Sequence, residues 1–195
     1  MDDFLITDDL KALDPQVFSL TELEAERQAR RLIMIPSESI APLAVRKVLG
    51  SSFTNIYAEG YPRPETRTMN ESQIMDYARQ LSTYRRYSDP RYYKGVEYAD
   101  IVEALARRRC TELFADNGLG PDDLFANVQP LSGAPANNAV YTAFIKPGDA
   151  ILGMDLLHGG HLTHGSPVNR SGLTYNAFHY TIDPETEKIN YDDLL

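Results

Sequence analysis

The stretch at residues 129–137, which reads Gln-Pro-Leu-Ser-Gly-Ala-Pro-Ala-Asn, combines residue types that suit the binding of an anion. Gly133 allows a ligand to come close to the backbone, and Pro135 suits the first turn of a helix. Free N–H groups and the positive end of the helix dipole attract phosphate at that place. Many α/β proteins also turn from a strand to a helix on small residues, so an ordinary structural turn stays open as the alternative.

A second stretch, His-Gly-Gly-His-Leu-Thr-His-Gly at residues 158–165, follows a predicted strand. Its paired glycines let the backbone approach a flat ligand, and an imidazole could lie against that ligand. His158, His161 and His164 also have a spacing that could bind zinc on a helix. The interleaved glycines disfavour a helix, so we expect no metal site here. A turn with purely structural histidines is the third alternative.

A third group of residues could move protons. Tyr57 and Glu59 lie in the stretch 55–62, and Tyr93 follows in the stretch 91–95. A glutamate in a ligand cleft can exchange a proton with a substrate hydroxyl group, and a tyrosine phenol can donate hydrogen bonds there. From the residues alone, this interpretation is no better supported than a packing role for a tyrosine-rich loop.

Helices and strands must hold these three stretches in place, and capping patterns and the spacing of apolar residues predict where they lie. The predicted elements are helices over 19–33, 42–49, 70–86, 97–114 and 135–145 and strands over 125–129 and 150–154. The strand, helix and strand after residue 124 favour a parallel α/β sheet, whose ligands bind at the C-terminal ends of the strands. The first helix has a thin apolar stripe, so we expect it to pack on another element or on a second subunit.

The chain of 195 residues carries a formal charge of −9 and is 43% hydrophobic, which is ordinary for a folded protein in water. The negative charge disfavours nucleic acid as a partner, because a polyphosphate needs a basic surface. The one cysteine, Cys110, forms no internal disulfide, so we expect a reducing, cytoplasmic setting. No apolar run in the sequence reaches the roughly 20 residues that span a bilayer, so we expect no membrane partner.

Five stretches together resemble the serine hydroxymethyltransferase family, also called glycine hydroxymethyltransferase, and they occur in family order. They are IPSES at 35–39, TNIYAEGYP at 54–62, RYYKGVEYAD at 91–100, ANVQPLSGAPANNAVY at 126–141 and HGGHLTHGSPVN at 158–169. The resemblance implies an α/β fold, the aspartate-aminotransferase-like large domain of fold type I transferases, which use pyridoxal 5′-phosphate (PLP). We expect an N-terminal helical arm over residues 1–34 and the N-terminal, incomplete part of that PLP-binding large domain over 35–195.

The resemblance also implies an activity, the reversible conversion of serine and tetrahydrofolate to glycine and 5,10-methylenetetrahydrofolate. PLP is the implied cofactor and tetrahydrofolate the implied cosubstrate. By position, Ser132, Gly133 and Ala134 would bind the PLP phosphate, and a catalytic His161 would stack on the pyridine ring. The other implied roles are catalysis and substrate binding for Glu59, Tyr57 and Tyr93, binding of the substrate carboxylate for Ser37, and folate binding for Leu156, Gly160 and Leu162.

Three features depart from the family pattern. Ala134 stands where the family commonly has a second serine, so one hydrogen bond to the phosphate is lost, which costs about 1 kcal/mol. Ser39 replaces the usual asparagine. Residues 63–90 form an insertion with a helical pattern between two site-forming stretches. A lid, a subunit contact and a neutral surface excursion all stay open as its role.

The resemblance places three further family residues beyond Leu195. They are the lysine that holds PLP covalently, the aspartate that pairs with the pyridine nitrogen and the arginine that binds the substrate carboxylate. We therefore expect the chain to act with serine or glycine and folate as part of a homodimer or together with a complementing C-terminal polypeptide. Two alternatives stay open, a folate-independent PLP aldolase of β-hydroxy amino acids and a non-catalytic remnant that acts as a dimerisation or regulatory module.

The 195-residue chain alone should be inactive, because the lysine that holds PLP is expected to lie outside it. The measurement is glycine formation from serine in the presence of PLP and tetrahydrofolate, together with the absorbance band of PLP bound covalently to protein. Glycine formation accompanied by such a band would contradict the expectation.

Overall fold

The computed structural model of the chain describes residues 9–194, with the side chain of Asp193 outside the description. Residues 1–8 of the predicted arm and Leu195 at the end of the predicted domain also lie outside the described residues. The chain divides into two compact units, residues 1–124 and 125–195. The predicted boundary between arm and domain at residues 34 and 35 stays a prediction.

The first unit is helical among its described residues. Its helices are α1 (Leu10–Leu13), α2 (Pro15–Arg30), α3 (Leu43–Leu49), α4 (Glu71–Ile74), α5 (Tyr77–Tyr87) and α6 (Glu97–Phe114), with short 3₁₀ helices at Ser52–Asn55 and Pro64–Thr68. The bounds predicted for α6 and the end predicted for α3 are confirmed. At the end of α3, Gly50 donates its N–H to the Arg46 carbonyl and closes the helix.

Helix α2 begins before the predicted residue Ser19, so that predicted start was wrong. The Asp14 side chain accepts hydrogen bonds from the N–H groups of Gln16 and Val17, and Pro15 occupies the first helical position. An aspartate N-cap followed by proline at the first helical position is a strong signal for the start of a helix, and it lies upstream of the capping pattern at Ser19. No residue of α1, α2 or α3 is buried in the described structure. The apolar side chains of these helices are therefore open to contact.

The predicted insertion, residues 63–90, packs into the interior of the first unit. Ile74 of α4 is 1% exposed and forms the core with Ile101 and Ala104 of α6. Around these three lie the partly buried side chains of Met69, Met75 and Leu105. Residues 63–90 are thus a structural part of this unit, because they supply its most deeply buried apolar side chain.

Residues 70–86 were predicted as one helix and form two. Asn70 and Gln73 make the predicted capping box at the start of α4. The chain then leaves helical geometry, and the Asp76 side chain caps α5 by accepting from the Arg79 N–H. A second capping aspartate inside a helical pattern competes for the backbone N–H groups, which explains why the helix restarts there.

The second unit contains a small parallel sheet with helices around it. Its elements are α7 (Gly133–Phe144), β1 (Ala150–Met154), a 3₁₀ helix (Leu156–His158), α8 (Arg170–Thr174), β2 (Asn176–Tyr180) and a 3₁₀ helix (Tyr191–Leu194). Strand β1 pairs with β2 in parallel, from Ala150 opposite Asn176 to Met154 opposite Tyr180. The described part of the chain is therefore a partial α/β structure.

The strand predicted over residues 125–129 does not form in the described structure, so this prediction was wrong. A β-strand needs a hydrogen-bonded neighbour, and the ladder of the described sheet joins β1 only to β2. The strand that pairs with β1 follows α8 and was not predicted.

Among residues 9–194, no helix has both the length and the apolar character to cross a bilayer.

Replacing Ile74 by alanine should lower the free energy of unfolding of the first unit by about 2–4 kcal/mol, because it removes buried methyl groups and leaves a cavity. Urea unfolding of the 195-residue chain, followed by circular dichroism at 222 nm, measures this change. The matched control is Leu113→Ala on α6, where the side chain is 80% exposed. Equal effects of the two substitutions would show that residues 63–90 do not belong to the core.

Candidate functional site

The predicted proton-transfer residues of the first unit lie close together. The rings of Tyr57 and Tyr93 have their centroids 5.4 Å apart at an angle of 38°. Between them in the chain, the Glu59 carbonyl accepts a hydrogen bond of 3.1 Å from the Tyr92 N–H. The side chains of Tyr57, Glu59 and Tyr93 are all exposed. The two stretches 55–62 and 91–95 thus form one surface that presents two phenols and a carboxylate.

A buried arginine holds the backbone of the loop that carries Glu59. Arg91 is 3% exposed, and its Nη1 donates hydrogen bonds to the carbonyls of Ala58 and, at 3.1 Å, of Gly60. Its Nε donates to Asp100, and its Nη2 donates to Glu103 at 2.6 Å. The guanidinium therefore joins helix α6 to the loop that carries Glu59.

Sequence reasoning assigned no role to Arg91, Asp100 or Glu103. A signal was present, because Asp100 and Glu103 stand three residues apart on one face of a predicted helix that follows an arginine. Two carboxylates on a buried face of a helix need a positively charged partner, because burial of an unpaired charge is costly.

Burial governs the electrostatics of this cluster. The pKa of Asp100 is raised to about 6, because burial disfavours its charge more strongly than the bonds to Arg91 favour it. Burial also raises the pKa of Tyr84, and the neighbouring Asp100 charge adds to that effect. For Arg91, burial acts to lower the pKa, but hydrogen bonds to Glu103 and Asp100 outweigh it and raise the value. The bonds to Arg91 thus offset only part of the cost that burial places on the Asp100 charge.

Ser37 lies on an exposed turn, in which the Glu38 N–H donates to the Ile35 carbonyl at 3.1 Å. The turn brings its hydroxyl group to the surface of the first unit. Binding of a substrate carboxylate by Ser37 stays a prediction.

In the second unit, the predicted anion-binding residues form the start of α7. Ser132 is the N-cap residue and makes no side-chain capping bond, while Gly133 and Ala134 lie in the first helical turn. The first N–H groups of a helix have no acceptor within the helix itself. A methyl group placed on Gly133 would meet no atom within 4 Å. An uncapped helix start with open space above its glycine can receive an anionic group.

His161 is held by a hydrogen-bonded chain that reaches α7. The Thr163 N–H donates to Nδ1 of His161 at 3.2 Å, and the Thr163 Oγ1 lies 2.7 Å from the same nitrogen. That hydroxyl oxygen accepts from Nδ2 of Asn137 at 2.7 Å, which leaves its hydrogen to point at Nδ1. From this network we assign the neutral imidazole with its hydrogen on Nε2. Sequence reasoning gave no role to Thr163 or Asn137.

The predicted folate-side residues surround a close contact between a loop and a strand. A Cβ atom on Gly160 would lie 2.0 Å from the Met154 carbonyl oxygen, so only glycine fits at this position. Leu156 and Leu162 nearby are 50% and 43% exposed. Folate binding by these three residues stays a prediction.

A pocket of about 470 Å³ lies along β1 in the second unit. Its walls are Tyr141, Ile151, Leu152, Gly153, Met154, Gly159, Gly160, His161, His164 and Tyr180. The two histidines are the lining side chains that can carry a positive charge, and tyrosines, aliphatic side chains and glycines form the rest of the wall. The pocket thus offers both polar and apolar surface to a ligand.

The three histidines considered as zinc ligands make other contacts. His158 accepts from the Ile182 N–H at 3.2 Å through Nδ1, and the ring centroids of His161 and His164 lie 5.8 Å apart. Within residues 9–194, no three side chains of the metal-binding types are grouped to hold an ion.

Substituting Thr163 by valine should weaken the hydrogen bonding of Nδ1 of His161, because it removes the hydroxyl group that bonds both Nδ1 and Asn137 and leaves only the backbone N–H at 3.2 Å. We expect the nitrogen-15 shift of Nδ1, measured by NMR at pH 8, to move toward that of an acceptor nitrogen without a hydrogen bond, while Nε2 keeps its hydrogen. Thr142→Val is the matched control, since the Thr142 hydroxyl group donates to the Asn138 carbonyl on an exposed face of α7. Unchanged His161 shifts in Thr163→Val would contradict the assigned network.

Comparison with known proteins relates both units to one family. The family model described as serine hydroxymethyltransferase matches residues 10–88 and 84–195. A serine hydroxymethyltransferase of Prochlorococcus marinus subsp. pastoris is 44% identical over 189 residues, which cover 97% of this chain and 37% of that relative. The chain thus spans little more than a third of the relative's length. From these two matches, the chain belongs to the serine hydroxymethyltransferase family.

Proposed function

We propose that this chain supplies the N-terminal part of a PLP-dependent hydroxymethyltransferase of fold type I. The reaction is the interconversion of serine plus tetrahydrofolate with glycine plus 5,10-methylenetetrahydrofolate. The observation that supports this most is the uncapped start of α7, which Asn137 and Thr163 link to the His161 imidazole. The surface formed by Tyr57, Glu59 and Tyr93 supplies the proton-transfer groups that such a reaction needs.

The start of α7 fits the phosphate group of PLP. The hydroxyl group of Ser132 and the N–H groups of the first turn are the donors, and the helix dipole favours an anion there. Ala134 offers only its backbone N–H, so this site makes one hydrogen bond fewer than a site with serine at that position. When bound, PLP supplies a ring that stabilises the negative charge left at the amino acid's α-carbon when a bond there breaks.

His161 orients the cofactor in this proposal. Its exposed ring face can lie flat against a pyridine, and the bond network through Thr163 keeps the imidazole at a set angle. A ring held in one orientation loses little conformational entropy when a ligand stacks on it. The role of Thr163 and Asn137 is then to position His161.

Glu59 moves the proton in this proposal. As a carboxylate it can accept the hydroxyl proton of serine's side chain, and as an acid it can return a proton in the reverse direction. The phenols of Tyr57 and Tyr93 donate hydrogen bonds to the substrate beside it. Ser37 binds the substrate carboxylate, and Leu156, Gly160 and Leu162 form the wall on the folate side.

The exposed apolar side chains of α2 and α3 support the proposal that the working enzyme is a homodimer or a complex with a complementing C-terminal polypeptide. Leu20 and Leu23 of α2 are 64% and 60% exposed, and Leu49 of α3 is 66% exposed. Large apolar side chains on neighbouring helices mark surfaces that another chain or segment covers.

A chimeric enzyme tests the proposed function. In it, this chain replaces the matched 37% of the Prochlorococcus relative, and the rest of that relative is kept. We expect glycine formation from serine that tetrahydrofolate stimulates. Glu59→Gln should lower kcat by about 100-fold or more, because it removes a general acid–base group. PLP absorbance should stay unchanged in that variant.

Glu65→Gln is the control, because Glu65 is an exposed carboxylate in the 3₁₀ helix Pro64–Thr68, away from the stretch 55–62 in sequence. Serine cleavage without stimulation by tetrahydrofolate would favour the folate-independent aldolase. A folded chimera that binds PLP without forming glycine would favour the non-catalytic alternative.

A further inference from the structure

Three successive carbonyl groups around Glu59 are held by one short segment. The carbonyls of Ala58 and Gly60 accept from the Arg91 guanidinium, and the Glu59 carbonyl between them accepts from the Tyr92 N–H. A backbone that is bonded at three successive residues has little freedom to rotate. The backbone from which the Glu59 side chain projects is therefore held in place by Arg91 and Tyr92.

Gly60 brings the two segments into direct contact. Its φ of +107° lies in the region that favours glycine, and a Cβ atom there would lie 3.2 Å from Cα of Arg91. The loop after Glu59 thus lies directly on the backbone of Arg91, and the guanidinium has only a short distance to reach back to the carbonyls.

Arg91 is itself held from three sides. Asp100 and Glu103 of α6 bind its Nε and Nη2, and the Asp89 carboxylate accepts from its backbone N–H at 2.9 Å. The side chains of Arg91 and Asp100 are 1% and 0% exposed. Water has little access to the Arg91–Asp100 pair, and buried charged hydrogen bonds of this kind are stronger than exposed ones.

Residues 63–90 cover this cluster. Tyr84 of α5 is 5% exposed and lies beside Asp100, and the Arg63 guanidinium lies 5.5 Å from the centroid of the Tyr84 ring. Arg63 also donates to Gln80 at 3.2 Å, and Gln80 is 2% exposed. The segment thus keeps solvent away from the Arg91–Asp100 pair.

We propose that Arg91 is a positioning residue for Glu59, and that residues 63–90 serve the site by covering the ion pairs that hold Arg91 in place. The catalytic part of this inference rests on the proposed function, but the structural part does not. Lysine cannot replace Arg91, because a single ammonium group cannot reach two carbonyls and two carboxylates in different directions.

Amide hydrogen exchange of the 195-residue chain, followed by NMR, tests the structural part. In Arg91→Lys, the Tyr92 amide, which bonds the Glu59 carbonyl, should exchange about tenfold faster or more, because the loop opens locally. The Asp100 amide, which bonds the Val96 carbonyl at the start of α6, is the internal reference and should change much less. Arg109→Lys is the matched control, since Arg109 makes an exposed pair with Glu71.

Glu103→Gln provides a milder test should Arg91→Lys unfold. It keeps an acceptor for Nη2 but removes its charge, so the Tyr92 amide should exchange faster by a smaller factor. An unchanged ratio of Tyr92 to Asp100 exchange in the folded variants would overturn the proposal, whatever the chimera shows about activity.

A double-mutant cycle in the chimeric enzyme tests the catalytic part. If Arg91 acts through Glu59, Arg91→Lys should lower kcat in the parent and have almost no further effect in Glu59→Gln. Independent roles predict that the two losses multiply. Multiplying losses would contradict a positioning role, and an inactive parent chimera would count against the proposed function while leaving the exchange result to decide the structural inference.

Discussion

One buried guanidinium organises the loop that carries Glu59 in the first unit. Arg91 needs acceptors on every side because a charge in the protein interior is stable only when paired and hydrogen-bonded. Helix α6 supplies two carboxylates, and the loop around Glu59 supplies two carbonyls. The loop must therefore lie where its carbonyls can accept hydrogen bonds from Arg91. This placement brings the exposed side chains of Tyr57 and Glu59 to the surface near Tyr93.

Among the described residues of the second unit, the loop around His161 is held in place without a buried ion pair. Asn137 of α7 and Thr163 of the glycine-rich loop join this helix to the loop through neutral hydrogen bonds. These bonds link the His161 imidazole to α7 without a charged partner. In the proposed function, the first unit serves proton transfer and the second unit binds the anionic group and the ring of the cofactor.

Local signals in the sequence predicted much of this correctly. The bounds of α6 and β1 and the capping box at Asn70 are properties of neighbouring residues, so the sequence contains them directly. The predicted strand over 125–129 was wrong and β2 was missed, since strand pairing depends on distant partners. The hydrogen bond from Arg91 to the Ala58 carbonyl was missed for the same reason, because it joins residues 33 positions apart in the chain. The family motifs led to predicted roles for exposed side chains, but they gave no role to Arg91, Thr163 or Asn137, whose hydrogen bonds hold the surrounding loops.

The fit between Gly160 and the end of β1 also constrains how this gene can vary. The Met154 carbonyl oxygen occupies the place where any other amino acid would have its first side-chain carbon. Every base change in the first two positions of a glycine codon introduces such a carbon, except the change from GGA to TGA, which introduces a stop codon. Natural variants and saturation libraries should therefore be depleted at this codon even where neighbouring exposed codons drift freely.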